Sequence, residues 1–319
     1  MAAGERFCPG RYAAIDVGSN SVLLLIADVD EEGKLTQLAE GSAFTRLSER
    51  FFVSQRLTRP ARDRTLHAIG EFVRVTRRAR VENVVAVGTS VLREAGNAGE
   101  FLQEVWQKFA LPVEVISGEQ EAELAYLGNV HDRTLPGTDG ERIVLDVGGG
   151  STEIVRGLGG TILNRVSYPM GAARLTQEFL KGDPPSGAEC AAADAAIEQA
   201  LSEVEPPPAG SLLLASGGTI TNLASVARAA GLLPPGEIHG RVLQHRRVAE
   251  LADLFRTLPI KFRKRVPGLE PERSEVIFGG AMILHQLMAR LSAPGVVVSG
   301  NGVRHGCIYR LAERALQRP

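Results

Sequence analysis

The chain has 319 residues, 44% hydrophobic and 23% charged, an ordinary balance for a soluble globular protein and enough length for about two domains. With 36 basic and 37 acidic residues the formal net charge is −1, so no global field gathers polyanions and any anion site must be local. No apolar run reaches the ~20 residues of a membrane span, and the N-terminal stretch, with Glu5 and Arg6 and no apolar centre, does not read as a secretory signal.

The elements alternate between strand and helix. Residues 12–15, 22–29 and 35–44 read as strands of a meander. Residues 59–80 read as a helix, with Leu66, Ile69, Phe72, Val73 and Thr76 at three-to-four spacing. A short buried strand, 84–87, runs into Gly88-Thr89-Ser90; 101–109 is helical and 113–116 is a strand. Ser117-Gly118-Glu119-Gln120 has the form of a capping box and predicts a helix from Gly118 to about Asn129. The polar segment 131–140, with Pro136 and two glycines, predicts a domain boundary.

Beyond that boundary strand, glycine loop and strand recur over 143–157, followed by a strand at 161–167 and a helix after Gly171. An alanine-rich helix spans 188–204 and stops at Pro206-Pro207-Pro208. A strand at 212–215 enters Ser216-Gly217-Gly218-Thr219 and a helix. Amphipathic helices are expected at 245–258 and 272–291, a strand at 296–298, and a last helix from Val303 to about Leu316. Parallel strands that each end in a glycine-rich turn and a helix place ligands at their carboxyl ends.

Ile15-Asp16-Val17-Gly18-Ser19-Asn20-Ser21 is echoed 130 positions later by Leu145-Asp146-Val147-Gly148-Gly149-Gly150-Ser151. Glycine lets backbone N–H groups approach a phosphate, the Ser hydroxyl can donate to it, and the Asp can hold Mg²⁺ or its water. Two copies predict a duplicated domain with a phosphate cleft between the halves. Asp16 and Asp146 also suit a turn-capping role. Seven residues past its Asp the second copy has Glu153 where the first has Leu23; Glu153 is either an additional acid near the phosphates or the polar face of a strand.

On a helix that begins at Gly118, Glu119 and Glu123 share one face and Glu121 points roughly opposite. Glu121 is either a solvated first-turn acid, kept ionised by the helix dipole, or the base that takes a proton from water. Arg93, just past Gly88-Thr89-Ser90, either pairs with phosphate oxygens or makes a surface ion pair with Glu94 or Glu100. Basic clusters at 77–80, at Arg246-Arg247 and at 261–265 read as solvated faces, or as the walls of a polyanion channel if they align. Aromatics are 5% and no nucleic-acid module appears, so no nucleic-acid partner is expected. The six histidines show no metal spacing, and His239 is the one singled out. Cys8, Cys190 and Cys307 are scattered and odd in number, which suits idle thiols in a reducing cytoplasm.

Taken together these motifs resemble the exopolyphosphatase/guanosine pentaphosphate phosphohydrolase (Ppx/GppA) family of the actin-like phosphotransferase superfamily. The resemblance continues in order through Gly88-Thr89-Ser90-Val91-Leu92-Arg93-Glu94-Ala95, Val115-Ile116-Ser117-Gly118 to Glu121-Ala122, Asp146 to Glu153, Pro169-Met170-Gly171-Ala172, Ser216-Gly217-Gly218-Thr219, Phe278-Gly279-Gly280-Ala281 and Ser299-Gly300-Asn301-Gly302-Val303-Arg304. It implies an α/β fold of two ribonuclease-H-like (actin-like ATPase) domains: 1–131, with the final helix, about 303–319, packing back on it, and 132–302. It implies Mg²⁺, with Mn²⁺ as an alternative, on Asp16, Asp146 and Glu153, with Glu121 and Glu153 as catalytic acids. Gly18, Ser19, Asn20, Ser21, Ser90, Arg93, Gly148, Gly149, Gly150, Ser151, Gly217, Gly218 and Thr219 match phosphate contacts.

The implied reaction is release of orthophosphate from inorganic polyphosphate, conversion of guanosine pentaphosphate to tetraphosphate, or both, in the cytoplasm and off the membrane. A homodimer is left open. Two other readings stay open: an ATP-dependent small-molecule kinase of the same fold, and a sensor that binds the alarmone without cleaving it.

Overall fold

A computed structural model describes residues 7–316. The first six residues of the stretch 1–10 that does not read as a secretory signal, and the last three residues of the expected C-terminal helix, lie outside the described residues. The chain divides into two compact units, Met1–Asp132 with Asn301–Pro319, and Arg133–Gly300.

The first unit contains β1 (Gly10–Val17), β2 (Ser21–Val29), β3 (Leu35–Phe44), α1 (Phe51–Ser54), α2 (Arg59–Arg78), β4 (Asn83–Gly88), α3 (Ser90–Glu94), α4 (Ala98–Phe109), β5 (Val113–Val115) and α5 (Gly118–Val130). Its sheet runs β3-β2-β1-β4-β5. The first three strands are antiparallel and the last two parallel to β1. Ala13, Ile15 and Val17 of β1 meet Leu66, Ile69, Phe72 and Val73 of α2 and Phe101 and Val105 of α4 in one core.

All five residues that predict α2 from their spacing are buried. Thr58 caps that helix by accepting from the Ala61 N–H at 3.4 Å. The helix stops two residues before the expected end because Arg80 turns left-handed (φ 53) and the Val81 N–H reaches back to the Thr76 carbonyl at 3.1 Å.

The second unit contains β6 (Arg142–Val147), β7 (Thr152–Leu158), β8 (Thr161–Tyr168), α6 (Ala172–Phe179), α7 (Gly187–Ala200), β9 (Leu212–Ser216), α8 (Gly217–Ala229), β10 (Val242–Gln244), α9 (His245–Thr257), α10 (Ile260–Arg263), α11 (Ile277–Arg290) and β11 (Gly295–Val298). The final helix, α12 (Val303–Leu316), belongs to the first unit and packs on α5, β1 and β2.

The second sheet runs β10-β11-β9-β6-β7-β8. Read from β8 it repeats the first sheet, with β10 added as an antiparallel edge. The repetition extends to defects: the ladder slips between Ile26 and Ala27 in one unit and between Arg156 and Gly157 in the other, ten residues past the Asp in each. Two meanders with a bulge at the same step, each joined to parallel strands, are the physical content of a duplicated actin-like domain.

Two expected helices differ. The alanine-rich helix begins at Gly187, where Ser186 and Glu189 form a capping box, and ends at Ala200 rather than 204. The expected helix 272–291 begins only at Ile277, after a 3₁₀ turn at Pro271–Arg273. Side-chain bonds hold that turn to α8: the Glu270 N–H donates to Asn222 Oδ1 at 2.9 Å, and Asn222 Nδ2 donates to Glu270 Oε2 at 2.8 Å.

Candidate active site

The two glycine turns are built alike. In the first, the Gly18 N–H donates to the Ser21 carbonyl at 3.0 Å; in the second, Gly148 donates to Ser151 at 3.0 Å. A Cβ at Gly18 or at Gly148 would meet that same carbonyl oxygen at 3.1 Å, so only glycine fits each hairpin without displacement. The carbonyls of each turn are tied to neighbouring backbone. Asn20 accepts from the Thr45 and Arg46 N–H groups, and Ser19 from Ser48. Gly148 accepts from Ala172, and Gly149 from Ala173 and Arg174, at the start of α6.

The amide N–H groups of Ser19, Asn20, Gly149 and Gly150 donate to nothing among the described residues. Ser19 Oγ, Asn20 Nδ2 and Thr45 Oγ1 are buried and have no partner among the described residues. Buried donors left open next to open backbone N–H groups fit an anion's oxygens. Thr45 was not expected from the sequence, since it lies far along the chain from the motif and carries no motif of its own. Ser21 and Ser151 close the two turns through their backbone carbonyls.

At the end of β4 the sequence enters α3 through Thr89. Ser90, expected at a phosphate, donates its hydroxyl to Glu94 at 3.1 Å. Arg93 takes neither of its expected surface partners. Its Nη1 donates to Glu121 Oε2 at 2.6 Å and to the Ile116 carbonyl at 3.1 Å. Glu121 is 8% exposed on α5, whose capping box has both bonds in place, Gln120 N–H to Ser117 Oγ at 3.1 Å and Ser117 N–H to Gln120 Oε1 at 2.8 Å. As the helix period requires, Glu119 lies exposed and Glu123 pairs with Arg310 at 2.6 Å, while Glu121 is turned inward. A buried carboxylate fixed by a guanidinium at a helix N-terminus keeps one rotamer, which is the geometry an acceptor for a water proton needs.

In the second unit Asp146 and Glu153 face each other as cross-strand partners on β6 and β7, on one side of the sheet. Ser167 Oγ donates to Glu153 Oε1 at 2.7 Å. Burial pushes the Asp146 carboxyl up to about 6, and the neighbouring Ser216 hydroxyl, which donates to the Leu145 carbonyl at 3.4 Å, opposes this only weakly. Gly217 (φ +89) packs against this acid: a Cβ there would lie 2.4 Å from Asp146 Oδ1. Gly217 also opens α8, so the N-terminus of a thirteen-residue helix begins beside the acid.

Arg273 lies across the next residue, its guanidinium 2.1 Å from where a Gly218 Cβ would be, held by Glu270 at 2.7 Å. Nothing local in the sequence marks Arg273; the fold brings it to the Gly217-Gly218 turn from the 3₁₀ segment. Thr219 is buried, with its hydroxyl against Gly280 of α11.

Among the described residues no group of three or more His, Cys, Asp or Glu side chains is arranged to hold a metal ion. Of the three acids expected at a metal, Asp146 and Glu153 stand together in the second unit, and Asp16 lies in the first, where its cross-strand partner is Leu23. The pair fits a divalent ion of the Mg²⁺ kind. Such an ion uses one or two carboxylates and completes its shell with water and phosphate oxygens, and two acids buried side by side call for a compensating cation.

The remaining candidates lie as follows. Arg263, from the third basic cluster, is 2% exposed, donates to the Ser274 carbonyl and stacks over Phe278, so it walls no channel. His239 Nδ1 accepts from the Gly300 N–H at 3.0 Å. His245 and His285, far apart in sequence, pair at 2.8 Å between α9 and α11. Cys190 and Cys307 are buried thiols, and Cys8 is half-buried. No helix among the described residues is long and apolar enough to cross a membrane.

The model of the Ppx/GppA phosphatase family matches residues 25–315. The chain belongs to that family. Exopolyphosphatase 1 of Mycobacterium leprae is 31% identical over 304 residues, covering 94% of this chain and 89% of that one. The guanosine-5'-triphosphate,3'-diphosphate pyrophosphatase of Vibrio parahaemolyticus is 29% identical over 315 residues, covering 96% of this chain but 60% of the longer relative. The crystal structure of the Aquifex aeolicus family member superposes with a TM-score of 0.78 at 34% identity, covering 97% of this chain and 98% of its own. The duplicated sheets and twin turns described above are thus those of a Ppx/GppA phosphatase.

Proposed function

We propose that this family member hydrolyses phosphoanhydrides, releasing terminal orthophosphate from inorganic polyphosphate, converting guanosine pentaphosphate to tetraphosphate, or both. The observation that carries this reading is the pair of matching turns with open N–H groups. Each turn leaves N–H groups open to hold phosphate oxygens. The names of the relatives supply the substrate class.

In the reaction, a water oxygen attacks the terminal phosphorus in line as the bond to the bridging oxygen breaks. Glu121 accepts the proton that water loses, and Arg93 keeps its carboxylate in place for that transfer. The N–H groups of Ser19, Asn20, Gly149 and Gly150, with Ser19 Oγ and Asn20 Nδ2, hold phosphate oxygens as charge moves to the leaving group. The N-terminus of α8 at Gly217 to Thr219, with Arg273 above it, adds a further positive end. Asp146 and Glu153 would hold Mg²⁺ or Mn²⁺, which when bound neutralises phosphate charge.

The test is phosphate release with Mg²⁺ on short polyphosphate, long polyphosphate and guanosine pentaphosphate side by side, with no acceptor added. Release from at least one is expected. Tight binding of all three with no release over hours would replace the enzyme reading with a sensor.

A further inference from the structure

The strand alternation that puts Asp146, Glu153 and Ser167 on one face of β6, β7 and β8 puts Ile143, Ile154, Val166 and Tyr168 on the other. On that second face lies a cavity of 240 Å³. At ~30 Å³ for each water it displaces, this is room for a molecule of about eight non-hydrogen atoms. Its walls are apolar: Ile143 and Ile154 from the sheet face Val204 and Leu291, all four buried.

Its mouth is acidic. Glu203 and Glu205 stand exposed at the rim. Arg156 is the one cation among the described lining residues, and Glu141 engages it through two bonds, at 2.9 and 3.2 Å. The Arg156 charge is met by Glu141 through these bonds and at longer range by Glu205, so three carboxylates stand against one cation and the opening keeps a negative sign. Burial, and then the charge of Glu203, raise the phenol of Tyr168 in the cavity wall. No residue of the proposed phosphate or metal machinery lines it.

We propose that this cavity is a binding site for a small primary amine with a compact apolar body, its ammonium at Glu203 and Glu205 and its body among Ile143, Ile154 and Leu291. An anion is disfavoured there by the rim, and a purely apolar molecule forgoes the charge attraction. This is a chemistry opposite to that of the phosphate turns, on the opposite face of the same strands.

The test uses three compounds of like size on the intact chain: benzylamine, benzyl alcohol and benzoate, titrated by calorimetry at low salt. The amine is expected to bind at least about ten-fold more tightly than the alcohol, and the acid not at all. Changing both Glu203→Gln and Glu205→Gln should remove that advantage while leaving binding of the alcohol, the melting temperature and phosphate release as they were. Val166→Trp, which fills the cavity from β8, should abolish binding of amine and alcohol together. Equal binding of all three compounds, no binding of the amine at millimolar concentration, or amine binding that survives Val166→Trp overturns the proposal. Because phosphate release is followed in the same samples, a failure here is distinct from a failure of the hydrolase reading.

Discussion

The turn after β1 and the turn after β6 share a frame and differ in their acids. Each has the Gly-to-Ser bond at 3.0 Å, the same 3.1 Å approach at its glycine, and a bulge at the same distance downstream. In the first unit, however, Asp16 faces Leu23, whereas in the second Asp146 faces Glu153. The first unit instead carries its buried acid on a helix, Glu121 on α5, clamped by Arg93. The two units share the turn backbone and differ in their acids: a cross-strand pair on one sheet, and a single buried carboxylate paired with arginine beside the other. Backbone geometry is costly to rebuild, since it needs glycine at fixed steps, while an acid can be exchanged by one substitution on a strand face.

The sharpest way to break this comparison is through the lone acid. Glu121→Gln preserves shape and removes the proton acceptor, so kcat should fall by about 10²–10⁴ with KM within a few-fold of the parent. Steady-state phosphate release measures both. A change confined to KM would move Glu121 from chemistry to binding.

The next effect is one of stability and sets Asp146 apart. Its carboxyl is raised by burial to about 6 in the folded state, above its unfolded value, so the folded protein holds that proton more tightly. The favourable contribution is complete below about pH 4 and is lost as pH rises through about 6, after which the ionised buried acid costs about 3 kcal/mol. In EDTA at pH 7.5, Asp146→Asn should therefore stabilise the protein, and at pH 4 it should not. Chemical denaturation at the two pH values measures it. Excess Mg²⁺ should narrow the difference at pH 7.5, since the ion supplies the missing positive charge.

Gly217→Ala should cost roughly 2 kcal/mol, because an alanine at φ +89 is strained and its methyl would collide with Asp146 Oδ1. Smallest, and most diagnostic of the shared frame, are Gly18→Ala and Gly148→Ala. With identical 3.1 Å approaches, each should lower stability by about 1 kcal/mol, and by equal amounts. Thermal melts of the pair would show an unequal loss if the two turns were not the same device.

Much of this was legible in the sequence, because local chemistry dictates it. The capping box at Ser117 names its own partners, the spacing in α2 names its buried face, and the repeated Asp-Val-Gly names two hairpins. The acid asymmetry was legible too, since cross-strand pairing in a tight hairpin follows from counting residues. What was not legible depends on distant chain. Arg273 reaches Gly218 only because Asn222 and Glu270 hold the 3₁₀ turn on α8. Arg263 reads as one more charge in a basic run, yet tertiary packing buries it over Phe278. Arg93 reads equally well as a phosphate ligand or a surface pair, and only the approach of α5 to α3 made Glu121 its partner.

The most direct test of the central claim is hydrolysis in water enriched in oxygen-18, with the released orthophosphate and the remaining chain analysed separately by mass spectrometry. Attack of water on the terminal phosphorus places the label in the orthophosphate and leaves the shortened substrate unlabelled. Label in the shortened substrate, or orthophosphate released without label, would contradict it.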